Sequence, residues 1–403
     1  MTMLSVAEAR ARILAPLRAT PAEVVPLAEG WQRVTAAPVL ARLTQPPRAL
    51  SAMDGYALRA ADGTQGTTLR VVGRAPAGHP WDGRVGPGEA VRLFTGSVIP
   101  EGADAILLQE DATAEGDTVT LREAVQAGRW IRQAGQDFAT DQVLVPAGRR
   151  LGARDIGLLA AGNHPWLQVH RRPRVAILAT GDEIALPGDP IPPGGIVSSN
   201  AHALAALVRA AGGEPVVLPI APDDRATLAA AADAARGMDL LVTSGGASVG
   251  DHDLVRSALG ERGLEIDFWT VAIRPGKPLI HGRLGEVPMI GLPGNPVSAM
   301  VCGIVFLLPA VQRLAGLEGA PLPVTQAVLG AALPANDRRF DHLRATLATE
   351  PDGTLVVTAF PAQDSSMLRL LAQADALILR EPQAPALPAG ATVQVIRLDT
   401  LGL

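Results

Sequence analysis

From residue 174 to about 314 the chain alternates short apolar runs with longer amphipathic segments, and this alternation restricts the fold more than any other feature. It predicts strands over 175–179, 215–220, 240–243 and 289–292. It predicts helices over 200–211, 225–236, 253–262 and 296–314. Strands separated by helices do not pair as hairpins. They pair in parallel, and a parallel sheet needs cover on both faces. Ligands of such sheets sit beyond the carboxyl ends of the strands. The residues that follow each strand are therefore the first place to look for chemistry.

Those residues are polar, small or charged. Thr180-Gly181-Asp182-Glu183 follows the first strand, and Asp223 and Asp224 follow the second. Ser244 to Asp253 follows the third and includes Gly245, Gly246 and Ser248. Pro293, Gly294, Asn295 and Pro296 follow the fourth. A further apolar run, 268–273, leads into Arg274-Pro275-Gly276-Lys277-Pro278. If all these strands are parallel, one rim collects glycines, hydroxyls, carboxylates and two cations. Such a rim suits a phosphorylated ligand with Mg²⁺. Glycines let backbone N–H groups reach phosphate oxygens. Mg²⁺ takes one or two protein carboxylates and keeps water. Arg274 and Lys277 would neutralise an oxyanion.

Lys277 is the only lysine among 403 residues; the other strong bases are all arginine. A compact ammonium on a flexible stem differs from a planar guanidinium, so its retention at this one place points to a role there. The other groups each have a structural reading. Asp223 or Asp224 could cap the following helix. Gly245-Gly246 could form a tight turn, Glu183 could be a solvated loop acid, and Pro296 could open a helix. Their convergence on one rim is what favours a ligand.

The rest of the chain differs in pattern. An amphipathic helix is expected over 6–18, then a proline-interrupted segment to residue 50. Residues 51–141 carry short strands, at 69–73, 90–94, 105–109 and 118–121, between Gly- and Pro-rich turns. The only tyrosine, Tyr56, lies here. So do Asp54, Thr95 and Asp137, each of which alone reads as a turn residue. A short helix is expected over 155–161 and a boundary at 171–173. After residue 321 short strands return, at 343–349, 354–358, 376–379 and 392–397, as in a small barrel or sandwich.

Composition sets limits. At 48% hydrophobic and 19% charged residues a large core can form. The net charge of −5 argues against a general nucleic-acid or membrane-surface partner. Cys302 is the only cysteine, which leaves no internal disulfide and no zinc spacing, and a reducing, cytoplasmic setting is expected. The apolar run 301–308 is too short to span a bilayer and stops at Pro309. One competing motif exists. Residues 246–250 match the G-x-S-x-G elbow of serine hydrolases, with Asp267 and His281, or Asp341 and His342, as available partners. No oxyanion loop of the matching type accompanies it.

Eight stretches, in this order, resemble the molybdopterin molybdenumtransferase family, bacterial MoeA and the C-terminal domain of gephyrin. They are SAMDGYA (51–57), AVRLFTGSVIPEGADAIL (90–107), IRQAGQD (131–137), RPRVAILATGDEI (172–184), Asp223-Asp224, TSGGASVGDHD (243–253), FWTVAIRPGKP (268–278) and GLPGNPVSA (291–299). The resemblance spans almost the whole chain and is weakest at its ends. It implies a multidomain α/β plus β fold. Residues 1–45 and 142–173 would form an elongated N-terminal domain, 46–141 an inserted β-rich domain, 174–320 a MogA-like parallel α/β domain, and 321–403 a C-terminal β-barrel.

The resemblance also implies a homodimer with a shared active site, in the cytoplasm, with no nucleic acid or membrane partner. The implied substrates are adenylylated molybdopterin and molybdate, and the products molybdenum cofactor and AMP, with Mg²⁺ as cofactor. Other proteins of molybdenum cofactor biosynthesis are possible partners. By matching position Asp54, Thr95, Asp137, Glu183 and Lys277 would be catalytic. Arg274, Lys277, Gly245, Gly246, Ser248, Pro293, Gly294 and Asn295 would bind molybdate or the pterin nucleotide. Glu183, Asp223 and Asp253 would hold the metal. The chain departs from the family pattern at Arg48-Ala49-Leu50, Gln136, Val197-Ser198, Thr270 and Arg274. A non-catalytic molybdopterin or molybdate carrier, and a MogA-type molybdopterin adenylyltransferase, are the alternatives.

Overall fold

The computed structural model describes residues 3–222, 224–245, 259–260, 262–317 and 322–402. Its central unit is a six-stranded sheet. The strands are β1 (Arg174–Ala179), β2 (Glu214–Val217), β3 (Leu240–Ser244), β4 (Leu264–Thr270), β5 (Pro278–Leu284) and β6 (Val287–Leu292), in spatial order β2-β1-β3-β6-β5-β4. β2, β1, β3 and β6 are parallel, as the alternation predicts. β5 is antiparallel to both its neighbours, so the sheet is mixed. The sequence reading lacks β5 because it begins at Pro278, within the polar motif. The rim nevertheless forms. Two reversals return β4 to the direction of the parallel strands, and the 274–278 loop joins the end of β4 to the start of β5 at that same rim.

Helices cover the sheet. Asn200–Ala210 buries Leu204, Leu207 and Val208 against the chain's largest apolar core, at about 1.5–3 kcal/mol for each large side chain fully buried. The helical stretch Pro296–Leu314 is long and apolar enough to cross a membrane, but most of it is buried inside this core. Pro309 does not end it. Proline lacks the N–H of an α-helical hydrogen bond and its ring crowds the preceding turn. Here the turn ahead of it, Gly303–Leu307, widens to a π-helix and the helix resumes at Leu308–Leu314.

The N-terminal helix Val6–Leu14 opens with a Ser5–Glu8 capping box. It stops short of the expected residue 18 because Pro16 follows and has no N–H to continue the ladder, although Ala15 before it still has helical backbone. Its buried face, Ala9 and Ile13 with Leu17 beyond, packs into the α/β core beside Val311 and Leu314. The elongated module is then built from two distant parts of the chain. Ala22–Pro26 pairs with Trp166–His170 and Val39–Leu40 with Val143–Val145, around Val25, Val145, Leu151 and Leu159.

The β-rich module inserted between those parts is a second six-stranded sheet, containing Gly55–Leu58, Thr68–Ala75 and Glu89–Leu93. At the C-terminus five strands close a barrel. Phe340–Thr349 pairs with Leu355–Ala359 on one side and Ala376–Arg380 on the other. Val324–Leu329 and Thr392–Arg397 complete the ring.

Candidate functional site

A cavity of about 1010 Å³ opens at the carboxyl ends of β1, β3 and β6. Thr180 follows β1, Ser244 closes β3, and Pro293 follows β6; all three line it. Gly245 sits at φ +97°, where an L side chain is strained, and a Cβ there would press on the Thr180 carbonyl oxygen. Asn200 ties two strand ends together, donating from Nδ2 to Ser244 Oγ at 2.9 Å and to the Gly294 carbonyl at 2.7 Å. The helices beginning at Asn200 and Pro296 both start at this cavity. Both present a positive dipole end, which favours an anion, and at the second the Val297 N–H is taken by the Ser365 carbonyl at 3.1 Å. Thr180 Oγ1 is buried in the same wall and, among the described residues, has no hydrogen-bond partner. A buried hydroxyl in that state is available to a ligand.

The rim loop forms the opposite wall. Gly276, φ +117°, rests on Cys302, whose thiol lies 3.8 Å from the Gly276 carbonyl oxygen and 3.9 Å from that of Pro275. Burial pushes the Cys302 thiol far above its ordinary pKa, so it acts as packing and not as a nucleophile. Lys277 follows and is exposed; its neighbours Gly276 and Pro278 line the cavity, and Lys277 itself does not. Arg274 also lines the cavity but is turned toward the barrel. It is paired with Asp341, with Asp337 at 3.1 Å and with Asn336 at 3.0 Å. The hydrogen bond to Asp341 holds the guanidinium above its usual pKa. Any oxyanion it binds would share it with those carboxylates.

The barrel supplies a wall that sequence reasoning missed. Gln363, Asp364, Ser365 and Ser366 line the cavity, and Asn295 Nδ2 donates to Ser365 Oγ at 3.1 Å. The Asp364-Ser365-Ser366 run was the available signal, a polar cluster between short strands. Asn200 was likewise missed; it follows two serines at a predicted helix start.

The structure brings Glu183, Gly245, Arg274, Pro293, Gly294 and Asn295 together on this one cavity. Glu183 is exposed at its edge and folds back over Gly181. Asp223, Gly246, Ser248 and Asp253 lie outside the described residues. Asp224 caps the next helix, accepting from the N–H groups of Ala226 at 2.8 Å and Thr227 at 3.2 Å.

Asp54, Thr95 and Asp137 do not line the cavity of their own chain. Asp54 accepts from the Thr95 N–H at 2.7 Å and from Thr95 Oγ1 at 2.8 Å, and these bonds, the N–H first, hold its carboxyl below the usual range. Beside it Arg92 stacks on Tyr56 and Phe94, 5.0 Å from each ring. Asp137 is exposed, its N–H bonded to the Gln45 carbonyl at 3.1 Å. Neither histidine–aspartate pair of the hydrolase reading lines the cavity. His281 faces Asp267 at 3.3 Å at the sheet edge, and His342 is buried in the barrel, its pKa pushed down to about 4 by desolvation.

Three family profiles match the chain: "MoeA N-terminal region (domain I and II)" over residues 4–162, "Probable molybdopterin binding domain" over 176–313, and "MoeA C-terminal region (domain IV)" over 326–398. A molybdopterin molybdenumtransferase of Haemophilus influenzae is 33% identical, over 98% of each chain. Molybdopterin molybdenumtransferase 2 of Mycobacterium tuberculosis is 37% identical, over 98% of this chain and 99% of its own. Among solved structures, a molybdopterin biosynthesis MoeA protein of Pyrococcus horikoshii superposes with a TM-score of 0.84 at 29% identity, covering 98% of this chain and 99% of its own.

Proposed function

The chain belongs to the molybdopterin molybdenumtransferase family, and from that premise we propose that it is a working enzyme of molybdenum cofactor biosynthesis that takes adenylylated molybdopterin and molybdate and releases AMP. The observation that carries the reading is the convergence of Glu183, two helix N-termini and the Lys277 loop on one cavity. That combination seats a pyrophosphate-bridged ligand and a second oxyanion side by side.

The reaction hydrolyses a phosphoanhydride with one water and exchanges two oxygen ligands of molybdate for the two dithiolene sulfurs, those oxygens leaving as hydroxide with the two thiol protons. Positioning and charge stabilisation suffice for it, without a covalent nucleophile. The helix N-termini and the Gly245 backbone hold the phosphates. The Lys277 ammonium holds molybdate next to the sulfurs. Mg²⁺ fits the donors in kind, since Glu183 offers hard oxygen, although among the described residues no three such groups converge. Glu183 with Asp223 and Asp253 would hold it. Held there, it would neutralise phosphate charge.

We further assign the enzyme to a cytoplasmic homodimer in which Asp54, Thr95 and Asp137 of one copy complete the cavity of the other. Their absence from the cavity of their own chain supports this. The test is AMP release from adenylylated molybdopterin with molybdate and Mg²⁺, for wild type and Lys277→Arg. Release by wild type and loss of most of it in the variant is expected. Pterin binding without AMP release would make the chain a carrier, and ATP-dependent adenylylation of molybdopterin would make it an adenylyltransferase.

A further inference from the structure

At the opposite end of the sheet, where β1 and β2 begin, the elongated module meets the α/β domain over a second cavity of about 590 Å³. Arg18, Arg313 and His170 line it, with Ala19, Ala36, Ala147 and Gly148 leaving the space, and no carboxylate is among the lining residues. A small recess on the far side of His170 is lined by Arg33, Arg150, Arg171 and Arg172. Among the described residues three carboxylates face these groups. Glu23 pairs with Arg33, Asp239 pairs with Arg171 at 2.7 Å, and Glu214 acts on Arg171 and Arg172 at longer range.

Three of the remaining guanidiniums hydrogen-bond carbonyl groups. Arg150 donates to the Ala211 carbonyl at 3.1 Å, Arg313 to Leu17 at 3.2 Å, and Arg18 to Ala15 at 2.8 Å. Among the described residues no carboxylate hydrogen-bonds Arg18, Arg150, Arg172 or Arg313. The helices ending at Ala210 and Leu314 point their C-termini here, and each contributes roughly half a negative charge. About two positive charges are left without a counter-charge. Burial lowers the pKa of Arg150, and burial, with Arg33 beside it, lowers that of Arg172.

We propose that this junction is a second binding site, specific for a phosphate-bearing small molecule. A phosphate dianion supplies the missing charge. Guanidinium forks match its oxygens with paired hydrogen bonds, which an ammonium cannot do. The volume is that of a small-molecule pocket. The site lies at the amino ends of the strands, so its occupant is distinct from the substrate of the rim. Because it ties the elongated module to the sheet, its ligand stabilises their junction.

Calorimetric titration of the full-length protein with inorganic pyrophosphate tests this. Two binding events are expected, one at the rim and one at this junction. Arg18→Gln with Arg313→Gln should weaken one of them by about tenfold or more and leave the other unchanged. Arg18 is exposed, so Arg18→Gln alone folds and should show a smaller loss in the same direction. Parallel titrations with inorganic phosphate and AMP separate a bare phosphate site from a nucleotide site. Equal affinities with and without the arginine substitutions, or no pyrophosphate binding at all, overturns the proposal.

Discussion

Arg274 and Asp341 meet twice: their side chains form an ion pair, and their backbones are register partners where strand 273–274 joins the barrel in parallel. The rim loop that carries Lys277 is thus anchored to the C-terminal barrel by main chain and side chain together. Burial pushes the Asp341 carboxyl above its usual range despite Arg274, while Arg274 gains from Asp341. Desolvation and attraction oppose one another in such a pair, and Arg274 is 40% exposed, so the net contribution to stability is small.

Asp341→Asn should therefore change unfolding free energy by less than about 1 kcal/mol, read by urea denaturation. It should nevertheless raise KM for molybdate, because the loop loses its side-chain anchor. A large stability loss with unchanged KM would assign Asp341 to the barrel alone.

Gly276→Ala puts a Cβ at φ +117° and against the Cys302 thiol. Strain of this kind costs about 1–3 kcal/mol. The variant should melt at lower temperature and lose most AMP release. Cys302→Ala added to it should recover part of the stability by removing the clash, and not all, because the backbone strain stays.

Asp54 is held below its ordinary pKa by the Thr95 N–H and hydroxyl. A depressed carboxyl stabilises the folded state above its unfolded pKa of about 3.9, and the contribution is lost as pH falls through the folded value. Thr95→Ala removes the hydroxyl and keeps the N–H. Its deficit in stability should be visible at neutral pH and disappear in acid, while the Asp54 carboxyl, followed by NMR titration, moves up. A deficit independent of pH would assign Thr95 to packing.

Asp54→Asn and Lys277→Met variants should each be inactive alone. If sites are shared between copies, co-refolding the two should restore a fraction of wild-type activity, since some dimers then hold one intact site. Continued inactivity of a mixture shown by native mass spectrometry to contain heterodimers would place each site within one chain.

Much of this arrangement was readable in advance, for definite reasons. Periodicity exposed β1, β3 and β6, and the rule about strand ends then located Glu183, Gly245 and Gly294. Two features escaped. β5 was hidden because its first residue belongs to the glycine–proline motif, so strand and loop read as one. The partners of Arg274 lie more than sixty residues away, Asp341 on a strand whose own sequence signals only that it is buried and extended, Asn336 and Asp337 in the segment before it. Charge pairing across domains leaves no local trace. The same is true of Ser365, which reaches the cavity only because the barrel packs beside the rim.

The docking of helix Val6–Leu14 against Leu308–Leu314 has a consequence for biosynthesis. This helix is synthesised about 300 residues before its packing surface near the end of the α/β domain, so its apolar face waits until that domain is nearly complete. Arg313 then reaches back 296 residues to the Leu17 carbonyl. A nascent chain stalled or cleaved before residue 308 keeps that face uncovered, which gives quality-control machinery a way to tell an unfinished copy from a finished one.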